Sequence, residues 1–135
     1  MAQEIREKLT ELNQVLSSRL PYRFDLVDPA SIKLLEKNAR YMDQPMFQQL
    51  VSNVKKDGAL SALPLCHVRP DGSMVVLSGN HRVQAAVHAG LEEIFVLVID
   101  RDLSRDEQIS IQLSHNSLSG KDDMVVLKDL WNELE

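Results

Sequence analysis

The stretch that decides the fold of this chain is Leu77-Ser78-Gly79-Asn80-His81-Arg82-Val83-Gln84-Ala85-Ala86. An apolar run ends at Ser78, a glycine follows, and residues typical of a helix begin at once. A glycine at such a junction lets the backbone turn sharply from a strand into a helix. The free N–H groups of a first helical turn and the positive end of the helix dipole together attract an anion. The stretch therefore predicts a strand–turn–helix unit with an anion site at the turn.

The first turn of this predicted helix carries two residues that could contact the same anion, His81 and Arg82. Arginine binds phosphate through two parallel hydrogen bonds, so phosphate is the anion that the geometry suits best. The alternative is structural: an ordinary helix capped by Asn80, with Arg82 in solvent. One glycine before a helix does not choose between them. The candidate phosphate-binding residues are Gly79, Asn80, His81 and Arg82.

Upstream of this stretch, the pattern predicts two helices and a strand. Apolar residues recur at three- and four-residue steps over residues 3–19, which indicates an amphipathic helix that either covers the domain's own core or docks a partner. Residues 22–28 alternate as a strand does, and the irregular stretch 32–41 follows. Asp43 is then the predicted N-cap of a helix that ends at Gly58.

Three further strands are predicted, two of them in a hairpin. Residues 63–69 and 73–78 flank Pro70-Asp71-Gly72, a turn sequence that predicts a β-hairpin. Residues 94–99 are continuously apolar, as is typical of a strand buried on both faces. Cys66 lies within the hairpin between apolar neighbours, so we expect a buried structural thiol.

The remaining segments predict helices. One runs from about Asn80 to Ala89, a second is capped by Ser104 and runs to about Leu113, and a last one starts at Asp122 or Asp123. The residues of the first that should face inward are Val83, Ala86 and Val87. The fold class predicted is therefore α+β, a small mixed β-sheet packed with helices.

The composition agrees with one globular domain. The chain has 135 residues, of which 44% are hydrophobic and 26% charged, and a single cysteine excludes an internal disulfide. No apolar run approaches the roughly 18 residues of a membrane span, and the charged start is unlike a signal peptide, so we expect a cytoplasmic protein. We divide the chain into a helix at 1–20, the domain at 21–120 and a helix at 121–135.

Charge is distributed unevenly along the chain. The net charge is −5, but residues 91–135 hold four basic against eleven acidic residues, whereas residues 21–90 are slightly positive. The middle also carries three of the four histidines. We therefore expect an anionic ligand to bind the middle of the chain.

Three boxes in order resemble those of the ParB-type partition proteins. Residues 79–85 are similar to the family's Gly-Glu-Arg-Arg-x-Arg-Ala box, and Asn38-Ala39-Arg40 resembles its Asn-Pro-Arg. Gly58 and Leu63-Pro64 match the glycine and proline at the family's helix-to-strand entry, and His115-Asn116 stands at its Glu-Asn. The resemblance covers about two thirds of the chain and implies the ParB/sulfiredoxin-like fold.

The resemblance also implies a ligand. In that family a nucleoside triphosphate, CTP in the partition proteins, lies against the second box, where Gly79 and Arg82 match positions that cradle phosphates. Asn116 matches a Mg²⁺ ligand, so Mg²⁺ with a nucleoside triphosphate is the implied cofactor. The other pocket positions carried over are Asn38, Arg40, Gly58 and Pro64.

Some positions depart from the family pattern. Asn80 and His81 replace a glutamate and an arginine, and His115 replaces the acidic residue associated with hydrolysis. A neutral imidazole is a poor partner for a hard cation. We therefore expect the domain to bind a nucleotide but to hydrolyse it slowly, and His115 is the one candidate catalytic residue. The sulfiredoxin branch has Gly-Cys-His-Arg, and since Asn80 replaces its reactive cysteine, sulfiredoxin chemistry is excluded.

Three functions stay open from the sequence. The first is a nucleotide-binding module associated with DNA partition, DNA modification or a phage or plasmid. The second is a ParB-like nuclease or phosphoryl-transfer enzyme, and the third is an interaction module with a vestigial pocket, whose terminal helices dock a protein partner. Nucleic-acid binding should be weak or indirect, because no recognition helix is visible. The preferred base, the partner and the oligomeric state are not encoded in any pattern we recognise.

Overall fold

In the computed structural model, the described residues are 2–34, 40–41, 44–116, 121–122 and Glu133. The helices are α1 (Ala2–Leu16), α2 (Gln44–Asp57), α3 (Asn80–His88) and α4 (Arg105–Asn116). The strands are β1 (Arg23–Val27), β2 (Arg40–Tyr41), β3 (Leu65–Val68), β4 (Met74–Ser78), β5 (Ile94–Ile99) and β6 (Lys121–Asp122), and a 3₁₀ turn covers Pro29–Ser31.

Four strands form the main sheet in the order β1-β5-β3-β4. The β3 and β5 strands are parallel, and the other two pairs are antiparallel, so the predicted mixed sheet is confirmed. The predicted hairpin is β3–β4, joined by the Pro70-Asp71-Gly72 turn. The short strands β2 and β6 pair separately, with Arg40 opposite Asp122.

The sheet is covered on both faces. On one face, α3 places Val83 and Ala86 against Cys66, Val76 and the inward residues of β5, all of them at most 3% exposed. On the other face, α4 and its preceding loop pack on a second cluster, whose buried members are Leu65, Val75, Leu77 and Ile99. The α3 helix therefore lies across the sheet with its N-terminus beside the end of β4.

Helix ends follow the local sequence rules. The N–H of Gly58 donates to the Val54 carbonyl at 2.8 Å and its φ is +69°, so Gly58 ends α2 as predicted. Ser104 caps α4: its hydroxyl accepts the Glu107 N–H at 3.1 Å, while Glu107 accepts the Ser104 N–H at 3.2 Å. This reciprocal pair is a capping box. Arg101 and Ser104 together hold the pKa of Glu107 below its usual value.

Two predictions about packing need correction. Val87 does not face inward but is 45% exposed, and Ala85 is buried in its place. The β5 run is buried fully only on the α3 side, since Phe95 on the opposite face is 42% exposed. Asp122 lies in strand β6, and Asp123, the other predicted start of the last helix, lies outside the described residues. The predicted N-cap Asp43 lies outside the described residues.

Two titratable side chains are buried in the sheet. His67 is 1% exposed, and its Nε2–H donates to the Arg101 carbonyl at 3.0 Å, while Nδ1 has no hydrogen-bond partner among the described residues. Cys66 is fully buried, as predicted, and this burial raises the pKa of its thiol to about 12. Among the described residues, no helix is both long and apolar enough to cross a bilayer.

The Cys66 thiol should not react in the native protein. The thiolate is the nucleophile, and a pKa of about 12 keeps it almost absent at neutral pH. Native protein should therefore label with a thiol reagent only at the rate of unfolding, and fully in denaturant. Prompt stoichiometric labelling of the native chain would contradict the buried position.

The same burial makes stability depend on alkaline pH. Above pH 9.0, the ordinary pKa, the thiol ionises in the unfolded chain, but it stays protonated in the folded chain up to about pH 12. Stability should thus fall in this window by up to about 1.4 kcal/mol per pH unit from this group. Urea unfolding measured across this pH range should show the loss of stability in the wild type, and Cys66→Ala, which has no thiol to ionise, should not show this contribution.

Candidate functional site

The junction between β4 and α3 is built on Gly79. Its backbone lies in the left-handed region at φ +98° and ψ 28°, a conformation that glycine adopts without steric cost. The glycine is itself the N-cap of α3, and its carbonyl accepts the Val83 N–H at 3.0 Å. The N-cap residue is Gly79 and not Asn80, so the interpretation of Asn80 as the N-cap is wrong. Because glycine has no side chain, the N-cap residue itself does not bond to the first-turn N–H groups.

Gly79 is also packed tightly against Pro64. A Cβ atom placed on Gly79 would lie 3.1 Å from the Pro64 Cα and 3.2 Å from its Cβ. The structure thus brings together two of the residues predicted for the pocket. This contact joins the start of β3 to the end of β4, at the point where α3 begins.

The polar side chains of the first turn differ in their surroundings. Asn80 is buried, at 9% exposure, whereas His81 and Arg82 are half-buried. Within the described part of the chain, no hydrogen bond or ion pair engages the Arg82 guanidinium. Arg82 therefore presents a cation beside the helix N-terminus, which is the arrangement that an anionic ligand needs.

A groove runs along α3 from the same end. It has a volume of about 940 Å³ and lies between α3, α2 and the 3₁₀ turn. Its α3 side carries His81, Gln84 and His88, and the His88 ring packs edge-on against Phe47 of α2, with centroids 5.4 Å apart. The groove combines apolar walls with amide and imidazole groups, so an organic ligand that reaches the helix N-terminus has room to extend into it.

The remaining predicted pocket residues are only partly located. Gly58 ends α2, and a Cβ placed on it would contact no atom within 4 Å. Arg40 lies in β2, and His115 and Asn116 end α4. Asn38 lies outside the described residues, as do the side chains of Arg40, His115 and Asn116.

The described side chains provide few ligands for a metal ion. Among the described residues, no cluster of three His, Cys, Asp or Glu could hold an ion. The carboxylates of α4, Asp106 and Glu107, lie in its first turn, and about ten residues of helix, or roughly 15 Å, separate them from Asn116. Asn116 therefore suits Mg²⁺ only if a bound nucleotide supplies most of the oxygen ligands, which is the usual way that proteins hold Mg²⁺.

Sequence reasoning missed the α2 wall of the groove. From the sequence, Phe47, Gln48 and Val51 belong only to a predicted helix. Their place in the groove depends on the packing of α2 against α3, which is a tertiary contact. The heptad spacing of His81 and His88 was the available signal, since residues seven apart share a helix face.

The fold and the junction define a class of protein, a small α+β domain with a helix N-terminus at a glycine turn. The family model of the ParB N-terminal domain matches residues 22–117, which is most of the chain. The chain therefore belongs to the ParB N-terminal domain family.

Relatives of known name agree. A probable chromosome-partitioning protein ParB from Treponema pallidum is 26% identical over 123 residues, which are 82% of this chain and 37% of that protein. Among solved structures, truncated Caulobacter crescentus ParB with CTP-γ-S has a TM-score of 0.62 and 18% identity, covering 82% of this chain and 61% of that one. The same protein with its centromeric parS site gives 0.54 and 16%, covering 80% and 55%. The chain thus spans only part of the length of these relatives, and the structures share its fold.

Replacing Gly79 by alanine tests the junction, and Gly90 provides the matched control. Both glycines have a positive φ, but a Cβ on Gly90 would meet no atom within 4 Å. Gly90→Ala should cost about 1–2 kcal/mol of unfolding free energy from the left-handed backbone alone. Gly79→Ala should cost at least about 1 kcal/mol more, because Pro64 must also move. Equal losses in urea unfolding would show that the Pro64 contact does not constrain the turn.

Proposed function

We propose that this domain is the nucleotide-binding module of a DNA-partition or mobile-element system, and that it holds the phosphates of a nucleoside triphosphate at the N-terminus of α3. The observation that carries the proposal is the Arg82 guanidinium, unengaged by other described residues, next to a first helical turn whose N-cap, Gly79, has no side chain. Backbone N–H groups, the helix dipole and a bidentate cation act on the same small volume, and each favours a multiply charged anion.

The candidate ligand is CTP or a close analogue. Support comes from a relative of the same fold, Caulobacter ParB, whose structure contains CTP-γ-S. In this chain, phosphates at Gly79–Arg82 would leave the nucleoside close to the groove along His81 and Gln84. The substitution of His81 for an arginine reduces the fixed positive charge at this turn.

Mg²⁺ would enter with the nucleotide. The residues that would hold the ion are Asn116 and the phosphate oxygens of the ligand, and the ion would neutralise phosphate charge. The protein's own contribution is to position the phosphates through Gly79 and Arg82 and to keep the nucleoside against α3.

DNA would be contacted indirectly by this part of the molecule. Caulobacter ParB has been solved with its parS site, but this chain spans only part of that protein's length. The described surface carries paired rather than free arginines at several places, such as Arg23 with Asp100 and Arg101 with Glu107. Such pairs neutralise the charges that would otherwise bind the phosphate backbone.

The Arg82→Ala variant tests the phosphate site. Loss of charge-assisted hydrogen bonds worth roughly 1.5–3 kcal/mol should weaken nucleotide binding by about ten- to hundredfold in calorimetry with Mg²⁺ and CTP. The matched control is Arg69→Ala, which removes an exposed arginine at the hairpin turn. Unchanged affinity in Arg82→Ala, with binding retained by the wild type, would move the site elsewhere.

Turnover is expected to be slow. Phosphoryl transfer requires a held metal and a positioned water, and His115 offers no negative charge where the family has an acidic residue. Wild-type protein should release phosphate from CTP at a rate near background, and His115→Glu should raise that rate if it changes it at all. Brisk release that His115→Ala abolishes would instead establish His115 as a catalytic group and favour the enzyme hypothesis.

A further inference from the structure

His67 is a buried histidine that takes no direct part in the proposed phosphate site. It lies in β3, opposite Val75 of β4 and Ile99 of β5. Both neighbours belong to the apolar cluster beneath α4, and the His67 side chain is 1% exposed. Burial of a polar ring in apolar surroundings costs free energy unless a hydrogen bond compensates for the lost water. The hydrogen-bond partner of the ring is therefore the feature that needs a physical account.

The imidazole is hydrogen-bonded to the loop that joins β5 to α4. Its Nε2–H donates to the Arg101 carbonyl at 3.0 Å. The Arg101 guanidinium in turn donates to the Glu107 carboxylate at 2.8 Å, and Glu107 forms the capping box with Ser104. Consecutive hydrogen bonds thus join the interior of the sheet, the loop and the first turn of α4.

The bond from His67 is the buried member of this series. The side chains of Arg101 and Glu107 are 59% and 46% exposed, so their ion pair contributes little to stability. The pair that binds the loop from β1, Arg23 with Asp100, is also accessible to water. A hydrogen bond from a buried ring is stronger, because its surroundings screen it less. Among the described polar contacts of the loop, the His67 bond therefore holds the loop most firmly.

The apolar contacts of α4 do not fix its position along its own axis in the same way. Ile109 and Leu113 are buried, and α4 packs on β4. Hydrophobic attraction is non-directional, so it holds the helix on the sheet without setting one axial position. A hydrogen bond has a narrow range of lengths and a preferred angle. The bond to the loop therefore sets where along the sheet α4 begins.

The start of α4 also sets the place of its last turn. The loop bond lies at the level of Val75, which is the partner of His67 in β4. The 12 residues of α4 span about 18 Å, and the 5 residues of β4 span about 17 Å. Since α4 returns over β4 from the end of β5, its last residue, Asn116, comes near the level of Ser78, where β4 leads into Gly79.

We propose that His67 is a positioning residue for the nucleotide site. Its bond to the Arg101 carbonyl fixes α4 along its axis, and this places Asn116 where it can bind the Mg²⁺ of a nucleotide held on α3. The inference rests on the proposed function. Because the ring contacts neither the nucleotide nor the ion, its effect should be confined to the Mg²⁺-dependent part of binding.

The test compares His67→Leu with His67→Gln in calorimetry with CTP, once with Mg²⁺ and once with EDTA. Leucine fills the apolar space but has no donor, whereas the glutamine amide carries an N–H that can replace the Nε2–H. With Mg²⁺, His67→Leu should raise the dissociation constant by about tenfold, since a misplacement of about 1 Å can cost up to about a hundredfold. With EDTA its affinity should equal that of the wild type, because the phosphates then depend on Gly79 and Arg82. His67→Gln should keep the wild-type affinity in both conditions.

The matched control is Cys66→Ala, which alters the adjacent buried residue of β3 on the α3 side of the sheet. It should leave the ratio of the two dissociation constants unchanged. Wild-type affinity of His67→Leu with Mg²⁺ would overturn the proposal. An equal loss of affinity with Mg²⁺ and with EDTA would also overturn it, because general damage to the fold has that effect.

Amide NMR spectra of the ligand-free protein separate this proposal from the proposed function. In His67→Leu, signals should shift along the whole of α4, whereas His67→Gln should keep the wild-type signals beyond the first turn of the helix. A wild type that binds no nucleotide would refute the phosphate site, and the spectra would still show whether His67 positions α4. Wild-type signals beyond the first turn of α4 in His67→Leu would refute the positioning role.

Discussion

The rest of the structure depends on the contact between Gly79 and Pro64. The positive φ of Gly79 turns the chain from β4 into α3 within one residue, and a Cβ on it would lie only 3.1 Å from the Pro64 Cα. Because the turn is this tight, α3 begins at the sheet and crosses it with Val83 against the core. The same turn makes glycine, which has no side chain, the N-cap residue of α3. One steric constraint therefore sets both the packing of α3 and the chemistry of its N-terminus.

Local rules predicted the elements that depend on neighbours in sequence. The hairpin turn, the end of α2 at Gly58 and the Ser104 cap of α4 each rest on a backbone conformation or a hydrogen bond within a few residues. Their energies do not require knowledge of the rest of the chain, so the sequence alone predicts them. The pattern of elements also predicted a small mixed sheet, but no local pattern could give the order of its strands.

Tertiary contacts decided the features that sequence reasoning missed. Val87 is exposed because the face of α3 that packs on the sheet carries Val83 and Ala86, and Val87 lies outside it. Phe95 is exposed because α4 covers the β3–β4 side of its face and does not reach the whole of β5. Gly79 takes the N-cap position of α3, so Asn80 is the first residue inside the helix and is buried there. The site was predicted as a motif, but the groove needed the pairing of α2 with α3.

At both edges of the main sheet, outward backbone groups are hydrogen-bonded by a single residue or by side chains and not by a further strand. At the β4 edge, Lys33 forms a two-bond bridge: its N–H donates to the Met74 carbonyl at 2.8 Å, and its carbonyl accepts the Val76 N–H at 3.0 Å. At the β1 edge, Asn13 and Arg6 do the same through side chains. The two closures differ in how they are held. The Lys33 bridge is made by backbone atoms of the residue that follows buried Ile32. The closure at β1 is made by side chains of α1, a helix with no buried residue. Ile32 anchors the first closure in the α3 core, whereas no buried residue of α1 anchors the second, so the two edges of the sheet are closed by contacts of different kinds.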